Sequence, residues 1–234
     1  MKTYEQFRAA LPTTKKKSDT LLAKLFLRDL SMPVAWGMYR MGFSGNGASL
    51  LAILLGTVAM PALAVGGEIG GVLGIVLLSL VALLDCVDGN IARAAGVSGP
   101  KGEWIDAVAG YAVYALLPIA VGVRAGLNGS TLDGVPVLLG AIAVSLNIFT
   151  RLAHQKYETA MLKASPGGGS NIRSSGSLTG FISGELGLCG IMIPGLAVCV
   201  WLHQELWFVA FYAVVYVGVA SAFFGTKLLG VFRD

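Results

Sequence analysis

Three carboxylates stand in sequence that is otherwise apolar enough for a membrane: Asp85 and Asp88 in LLDCVDGNIARAAG, and Asp106 in GEWIDAVAG. An ionised carboxylate in hydrocarbon costs at least about 2.5 to 3.5 kcal/mol, so acids in such a setting mark a functional site by default. Asp85, Asp88, Gly89 and Ala92 follow the spacing i, i+3, i+4 and i+7, which puts them on one face of a helix. Gly102, Asp106 and Gly110 follow i, i+4 and i+8 on the next predicted helix. Where these faces meet, three like charges converge. At about 4 Å they repel by several kcal/mol at an intermediate dielectric, so the trio must take up protons or bind a metal. Oxygen-only ligands select a hard ion, and Mg²⁺ or Mn²⁺ is held by a few carboxylates together with substrate phosphates. Gly89 and Ala92 remove bulk, so that a neighbouring helix or a flat ligand can approach the backbone. A plainer arrangement also satisfies these residues, with Arg93 neutralising Asp88 or Asp85 at the helix end.

Elements that position such a cluster must be membrane helices. The chain has 234 residues, 55% hydrophobic and 13% charged, and its mean hydropathy of +0.74 lies outside the range of soluble domains. The sequence predicts an all-α integral membrane protein with six transmembrane helices, at about 46–66, 69–94, 103–125, 133–155, 179–202 and 205–229. Each is close to the roughly 20 residues that a hydrocarbon core of about 30 Å requires. Residues 1–45 form a cytosolic N-terminal segment and 46–234 the six-helix membrane domain. Within the first, LLAKLFLRDLSMPVAWGMYRMGF gathers apolar residues on one side, an interfacial amphipathic helix whose basic residues meet anionic headgroups of the membrane lipids. Lys and Arg fall in the N-terminal segment, in the second-to-third and fourth-to-fifth connections and near the C-terminus, with only Arg124 on the other side. By the positive-inside bias both termini and the acidic cluster face the cytosol, in a multi-pass inner-membrane protein. No apolar run follows the first basic residues, so no cleaved signal is expected.

Other features carry less. Cys86, Cys189 and Cys199 lie in predicted spans without metal-ligand spacing and read as reduced, buried residues. His154 and His203 have no partner at ligand spacing. The chain shows no structural repeat, no heptads and no aromatic-and-basic interleaving suited to nucleic acid. PGGGSNIRSSGS, at 166–177, reads as a Gly/Ser-rich linker.

The pattern Asp85-x-x-Asp88-Gly89-x-x-Ala92-Arg93, eight residues, then Gly102-x-x-x-Asp106 resembles the signature of the CDP-alcohol phosphotransferase family, D-x-x-D-G-x-x-A-R followed by G-x-x-x-D-x-x-x-D. Upstream, Ser44-Gly45-Asn46-Gly47-Ala48-Ser49 is similar to the family's Ser-Pro-Asn-x-x-Thr, with Gly45 for Pro and Ser49 for Thr, and RDLSMPVAW is similar to its interfacial helix. The motifs cover residues 28–127. The resemblance implies six helices around a cytosol-facing polar cavity and transfer of a phosphorylated group from a CDP-linked donor to an alcohol, releasing CMP, in phospholipid biosynthesis. It implies that Asp85, Asp88 and Asp106 ligate Mg²⁺ or Mn²⁺, and that Asn46, Ser49, Gly89, Ala92, Arg93 and Gly102 hold the nucleotide. The default donor is CDP-diacylglycerol with a small polar alcohol as acceptor; the reverse, a CDP-linked small alcohol with a lipid acceptor, stays open. Family members are often dimers, so a homodimer comes with the resemblance.

Gly110 departs from the pattern. It stands where the family has its fourth Asp, the residue that completes a second metal site and deprotonates the acceptor. Glu103 lies off the Gly102/Asp106/Gly110 stripe, and Tyr111 and Tyr114 are poor bases at neutral pH. The catalytic base is therefore unassigned. Three readings follow: an active transferase with a reduced acid set; a relative that binds CDP-linked lipid without turnover, as a sensor or partner subunit; and a transporter with a carboxylate cation path, the weakest because the acids cluster at one end. For an acceptor phosphate or carboxylate, the candidates are Arg28, Arg151, Lys156 and Arg173, with Arg151 foremost.

Overall fold

The computed structural model of the chain describes residues 2–10, 20, 23–97, 99–129, 133–164 and 185–231, and among these every regular element is helical. They are α1 (Tyr4–Ala9), α2 (Arg28–Arg40, led in by a π-helical turn at Ala23–Leu27), α3 (Gly45–Val65), α4 (Gly67–Ala95), α5 (Pro100–Leu127), α6 (Val135–Ala164), α7 (Ile193–Trp201, led in by a π-helical turn at Leu188–Met192) and α8 (Glu205–Val231). Five of them, α3, α4, α5, α6 and α8, are long and apolar enough to cross a bilayer. The shortest, α3, has 21 residues, and at 1.5 Å per residue spans about 30 Å. The chain is thus an all-α, multi-pass membrane protein.

The region predicted as a fifth span, 179–202, takes a different form. Residues 179–184 lie outside the described residues, and the helix runs from Leu188 to Trp201 as five residues of π-helix and nine of α-helix. Gly190 leaves helical geometry there (φ −107°, ψ −135°), and a Cβ at this position would collide with the Glu185 carbonyl. The described part is too short to cross a bilayer alone.

Connections at one end of the bundle have legible causes. The Ser44 side chain accepts from the Gly47 N–H at 3.1 Å and starts α3. Gly96, at φ +68°, ends α4 in the left-handed conformation that a side chain disfavours. Pro100 opens α5 with its φ already set for a helix.

Helix α2 packs on α4 through Ser31, Ala35 and Met38, buried at i, i+4 and i+7, while Leu30, and Leu25 and Phe26 in the π-helical turn before it, are exposed. Helix α1 docks on α2, with Phe7 buried against Tyr39 and Tyr4 edge-on to Trp36. Lys2 Nζ donates to the Ala94 carbonyl in the last turn of α4.

At the opposite end, Arg124 is buried and donates from Nε to Glu205 Oε1 at 2.8 Å and from a terminal nitrogen to the Gly67 carbonyl at 2.7 Å. Asn128 donates to the same Glu205 oxygen at 3.0 Å. One guanidinium thereby ties the ends of α4, α5 and α8, and the pairing compensates its buried charge.

Candidate functional site

The acidic cluster opens into a cavity of about 1020 Å³ at the end of the bundle where α3 and α5 begin and α4 ends. Its wall includes Asn46 and Ser49 from α3, Asp85, Asp88, Gly89, Ala92 and Arg93 from α4, and Gly102 and Asp106 from α5. All the residues singled out for metal and nucleotide thus share one cavity, of a size that accepts a nucleotide. Ser44, Gly45, Val97, Gly99, Pro100, Lys101 and Glu103 complete its lining.

The carboxylates differ in setting. Asp88 is buried, with 7% exposure, and both of its oxygens are engaged: Oδ2 accepts from Ser49 Oγ at 2.5 Å, and Oδ1 accepts from the Gly89 N–H. Asp85 and Asp106 are exposed toward the cavity. Cys189 Sγ donates to Asp85 Oδ2 at 3.3 Å, bringing the π-helical turn before α7 against α4. The donor set is all-oxygen and suits a hard cation. Among the described residues, however, no three Asp, Glu, His or Cys side chains are gathered closely enough to enclose a metal ion. A cation here would draw its remaining oxygens from a ligand's phosphates.

Glycines set the approach of the walls. A Cβ on Gly45 would stand 2.8 Å from the Asp88 carbonyl oxygen and 3.2 Å from the Ala92 Cβ. The proline of the resembling motif could not stand at Gly45 without parting α3 from α4, which gives that departure a physical reason. Gly89 makes room for Arg93: its Cβ would lie 2.9 and 3.0 Å from the two terminal guanidinium nitrogens. At Gly110, by contrast, a Cβ would meet nothing within 4 Å. The surroundings of Gly110 thus leave room for a side chain.

Of the residues proposed for an acceptor, Arg28, Arg151 and Lys156 are described, the first on α2 and the other two on α6. Arg28 donates to Asn90 Oδ1 at 3.3 Å, on the α2 side of α4. Arg151 lies over the Tyr114 ring at 4.3 Å and donates from Nε to Asn147 Oδ1 at 2.8 Å, between α5 and α6. The Tyr114 hydroxyl accepts from the Leu188 N–H at 2.9 Å, one residue from the Cys189 that meets Asp85. Arg151 is thus linked to the acidic cavity in three contacts, through Tyr114 and then Leu188–Cys189, whereas Lys156 is exposed farther along α6. Arg173 and the 166–177 linker lie outside the described residues.

Several residues of this region escape sequence reading. Cys189 has no spacing signal, since its partner is 104 positions away. Glu103 joins the wall beside Asp106 although it was set aside as off the stripe. Asn147 Nδ2 and Thr150 Oγ1 are buried beside Arg151 with no hydrogen-bond partner among the described residues. Their signal was available: polar side chains inside an apolar helix. His154 pairs with Glu158 at 3.6 Å and stacks on Phe223, and His203 faces Glu68 at 3.8 Å at the far end. Compared with known proteins, the chain matches no family model and no curated sequence.

Proposed function

We propose that this protein is a membrane transferase that moves a phosphorylated group, a phosphatidyl group by default, from a CDP-linked donor to an alcohol, with release of CMP. The observation that carries the reading is the convergence of residues from 46 to 106, all of the metal and nucleotide candidates, on one cavity. The acceptor oxygen forms a bond to the donor phosphorus, the P–O bond to CMP breaks with its electron pair leaving on CMP, and the hydroxyl proton passes to a base. Arg93 in the wall offsets charge on the CMP leaving group. Asp85, Asp88 and Asp106 would hold Mg²⁺ or Mn²⁺, which supplies further charge neutralisation at the diphosphate. Ser49 Oγ donates to Asp88 and fixes the orientation of its carboxylate.

The acceptor side is α6. Arg151, with Asn147 Nδ2 and Thr150 Oγ1, which have no hydrogen-bond partner among the described residues, offers donors to an anionic or hydroxyl-bearing acceptor reaching in from the Tyr114 side. The basic residues gathered toward the cavity end support a cytosolic opening, with α2 at the headgroup level and Leu188–Trp201 as part of a sixth crossing.

CMP release by the full-length protein in lipid, with CDP-diacylglycerol, Mg²⁺ or Mn²⁺ and a panel of acceptor alcohols, tests the proposal. Metal-dependent release that disappears in Asp85→Asn supports a transferase working with a reduced acid set. If only Gly110→Asp turns over, the native chain is a donor-binding relative without its base. Absence of release in both, despite donor binding, overturns the substrate assignment.

A further inference from the structure

A second, smaller groove of about 380 Å³ adjoins the acidic cavity where α3 and α5 begin, lined by Asn46, Pro100, Lys101, Trp104 and Ile105. Asn46, Pro100 and Lys101 also line the cavity, so the two are continuous. A Cβ on Gly102 would stand 3.6 Å from Asn46 Oδ1, which sets the start of α3 beside that of α5 at this junction. The groove lies on a lipid-facing side. Asn46, Leu50, Leu54 and Val58 follow at i, i+4, i+8 and i+12, and all four are exposed along α3, a helix of membrane-crossing length. In the second turn of α5, Trp104 is 67% exposed, at the depth where such rings sit among headgroups. Among the described residues, the Lys101 ammonium, the Asn46 amide and the Trp104 ring have no hydrogen-bond, ion-pair or ring partner. A polar cavity and an apolar surface thus meet over one uncommitted cation.

We propose that this groove seats the lipid half of a nucleotide-linked lipid donor: the diphosphate lies in the acidic cavity, its lipid-side phosphate meets Lys101, and the acyl chains leave between α3 and α5 beside Trp104 and Leu50. The inference rests on the donor reading above and deepens it, because it puts the lipid on the donor and leaves the acceptor to be a small polar molecule from the α6 side. Chemistry selects the occupant. A nucleobase here would set its polar edge against Trp104, Ile105 and hydrocarbon with only the Asn46 amide to meet it, and each group left unmet costs about 1 to 3 kcal/mol. An acyl chain has no such groups to lose. Nor does it need to leave hydrocarbon, since the groove opens on the face that lipid covers, so little is gained or lost by the chains themselves. Selection then falls to Lys101, whose stem lies along apolar surface while its ammonium reaches a phosphate at headgroup level.

A CDP-diacylglycerol with a photoactivatable diazirine in one acyl chain, added to the full-length protein in phosphatidylcholine nanodiscs with Mg²⁺, tests the seat without requiring turnover. Mass spectrometry is expected to map the label to 46–58 of α3 and 101–108 of α5, and excess CDP removes it. Trp104→Ala weakens CDP-diacylglycerol binding about fivefold and leaves CDP binding unchanged. Lys101→Gln weakens both by about tenfold, the size of one charge-assisted hydrogen bond. Trp201→Ala, which removes an exposed ring at the far end of the bundle, changes neither. Label on α6 or α8 while CDP still binds overturns the groove and leaves the donor reading standing. The groove is also overturned if a phosphatidylcholine with the same diazirine chain labels α3 and α5 equally and CDP has no effect, which marks an ordinary lipid contact. A Trp104→Ala loss as large for CDP as for CDP-diacylglycerol assigns the groove to the base and overturns its lipid. Native binding in both Trp104→Ala and Lys101→Gln overturns it as well. If neither CDP nor CDP-diacylglycerol binds, the groove and the donor reading fall together.

Discussion

Asp88 and Gly89 show how adjacent residues divide the work of one helical turn. Asp88 is turned inward, where Ser49 Oγ at 2.5 Å holds it, while Gly89 leaves a gap that the Arg93 guanidinium covers. A methyl group at 89 must push that guanidinium aside, and the end of a long side chain yields at little cost to the fold. Gly89→Ala therefore raises the donor KM about tenfold or more with the melting temperature unchanged, readable from steady-state CMP release beside a thermal melt. Ser49→Ala leaves a buried carboxylate short of a donor, and lowers both stability, by about 1 to 3 kcal/mol, and turnover. A drop in turnover without any drop in stability would show that Ser49 acts on the ligand and not on Asp88.

Between elements, the position of α6 relative to α5 is set by two reciprocal contacts. A Cβ on Gly122 would lie 2.5 Å from the Pro136 carbonyl oxygen, and one on Gly140 would lie 2.5 Å from the Pro118 carbonyl oxygen. Each glycine meets backbone, which cannot rotate away, so the crossing tolerates no side chain. Gly140 is about three turns from Arg151 on the same helix. Gly140→Leu is expected to cost about 1 to 3 kcal/mol in a thermal or denaturant melt. Its displacement of α6 also raises the KM for the acceptor and spares CDP affinity, because the donor residues belong to α3, α4 and α5. Equal loss of both would place the acceptor elsewhere than α6.

Across the whole molecule, the two ends of the bundle handle charge differently. The cavity end collects unlike groups around an opening, whereas the far end buries Arg124 and Glu205, each about 1% exposed, as a closed pair at 2.8 Å. Removing one partner of such a pair strands the other, a cost of about 3 to 5 kcal/mol, while replacing both with apolar residues is often close to neutral. Arg124→Leu should therefore lower the melting temperature strongly, and Arg124→Leu combined with Glu205→Leu should recover most of the loss. Additive losses in the double variant would mean that each residue is held by its other neighbours, Gly67 for the arginine and Asn128 for the glutamate.

What the sequence determined by itself is what a single helix fixes. Asp85, Asp88, Gly89 and Ala92 share a face because 3.6 residues per turn leaves no alternative, and apolar runs of sufficient length identify the membrane class and the long helices. The convergence of Asn46 and Ser49 with Asp106, the pairing of Cys189 with Asp85 and the meeting of Arg28 with Arg93 on Asn90 were decided only by tertiary structure. So was the break at Gly190, which interrupts the helix in the region where hydropathy predicts an even fifth span. The physical reason is shared. Hydropathy reports how much of a helix avoids water but not which neighbour covers it, and in this chain the neighbours are chosen by backbone contacts at Gly45, Gly74, Gly122 and Gly140. A glycine that admits a carbonyl and one that faces open space, such as Gly110, are the same letter in sequence.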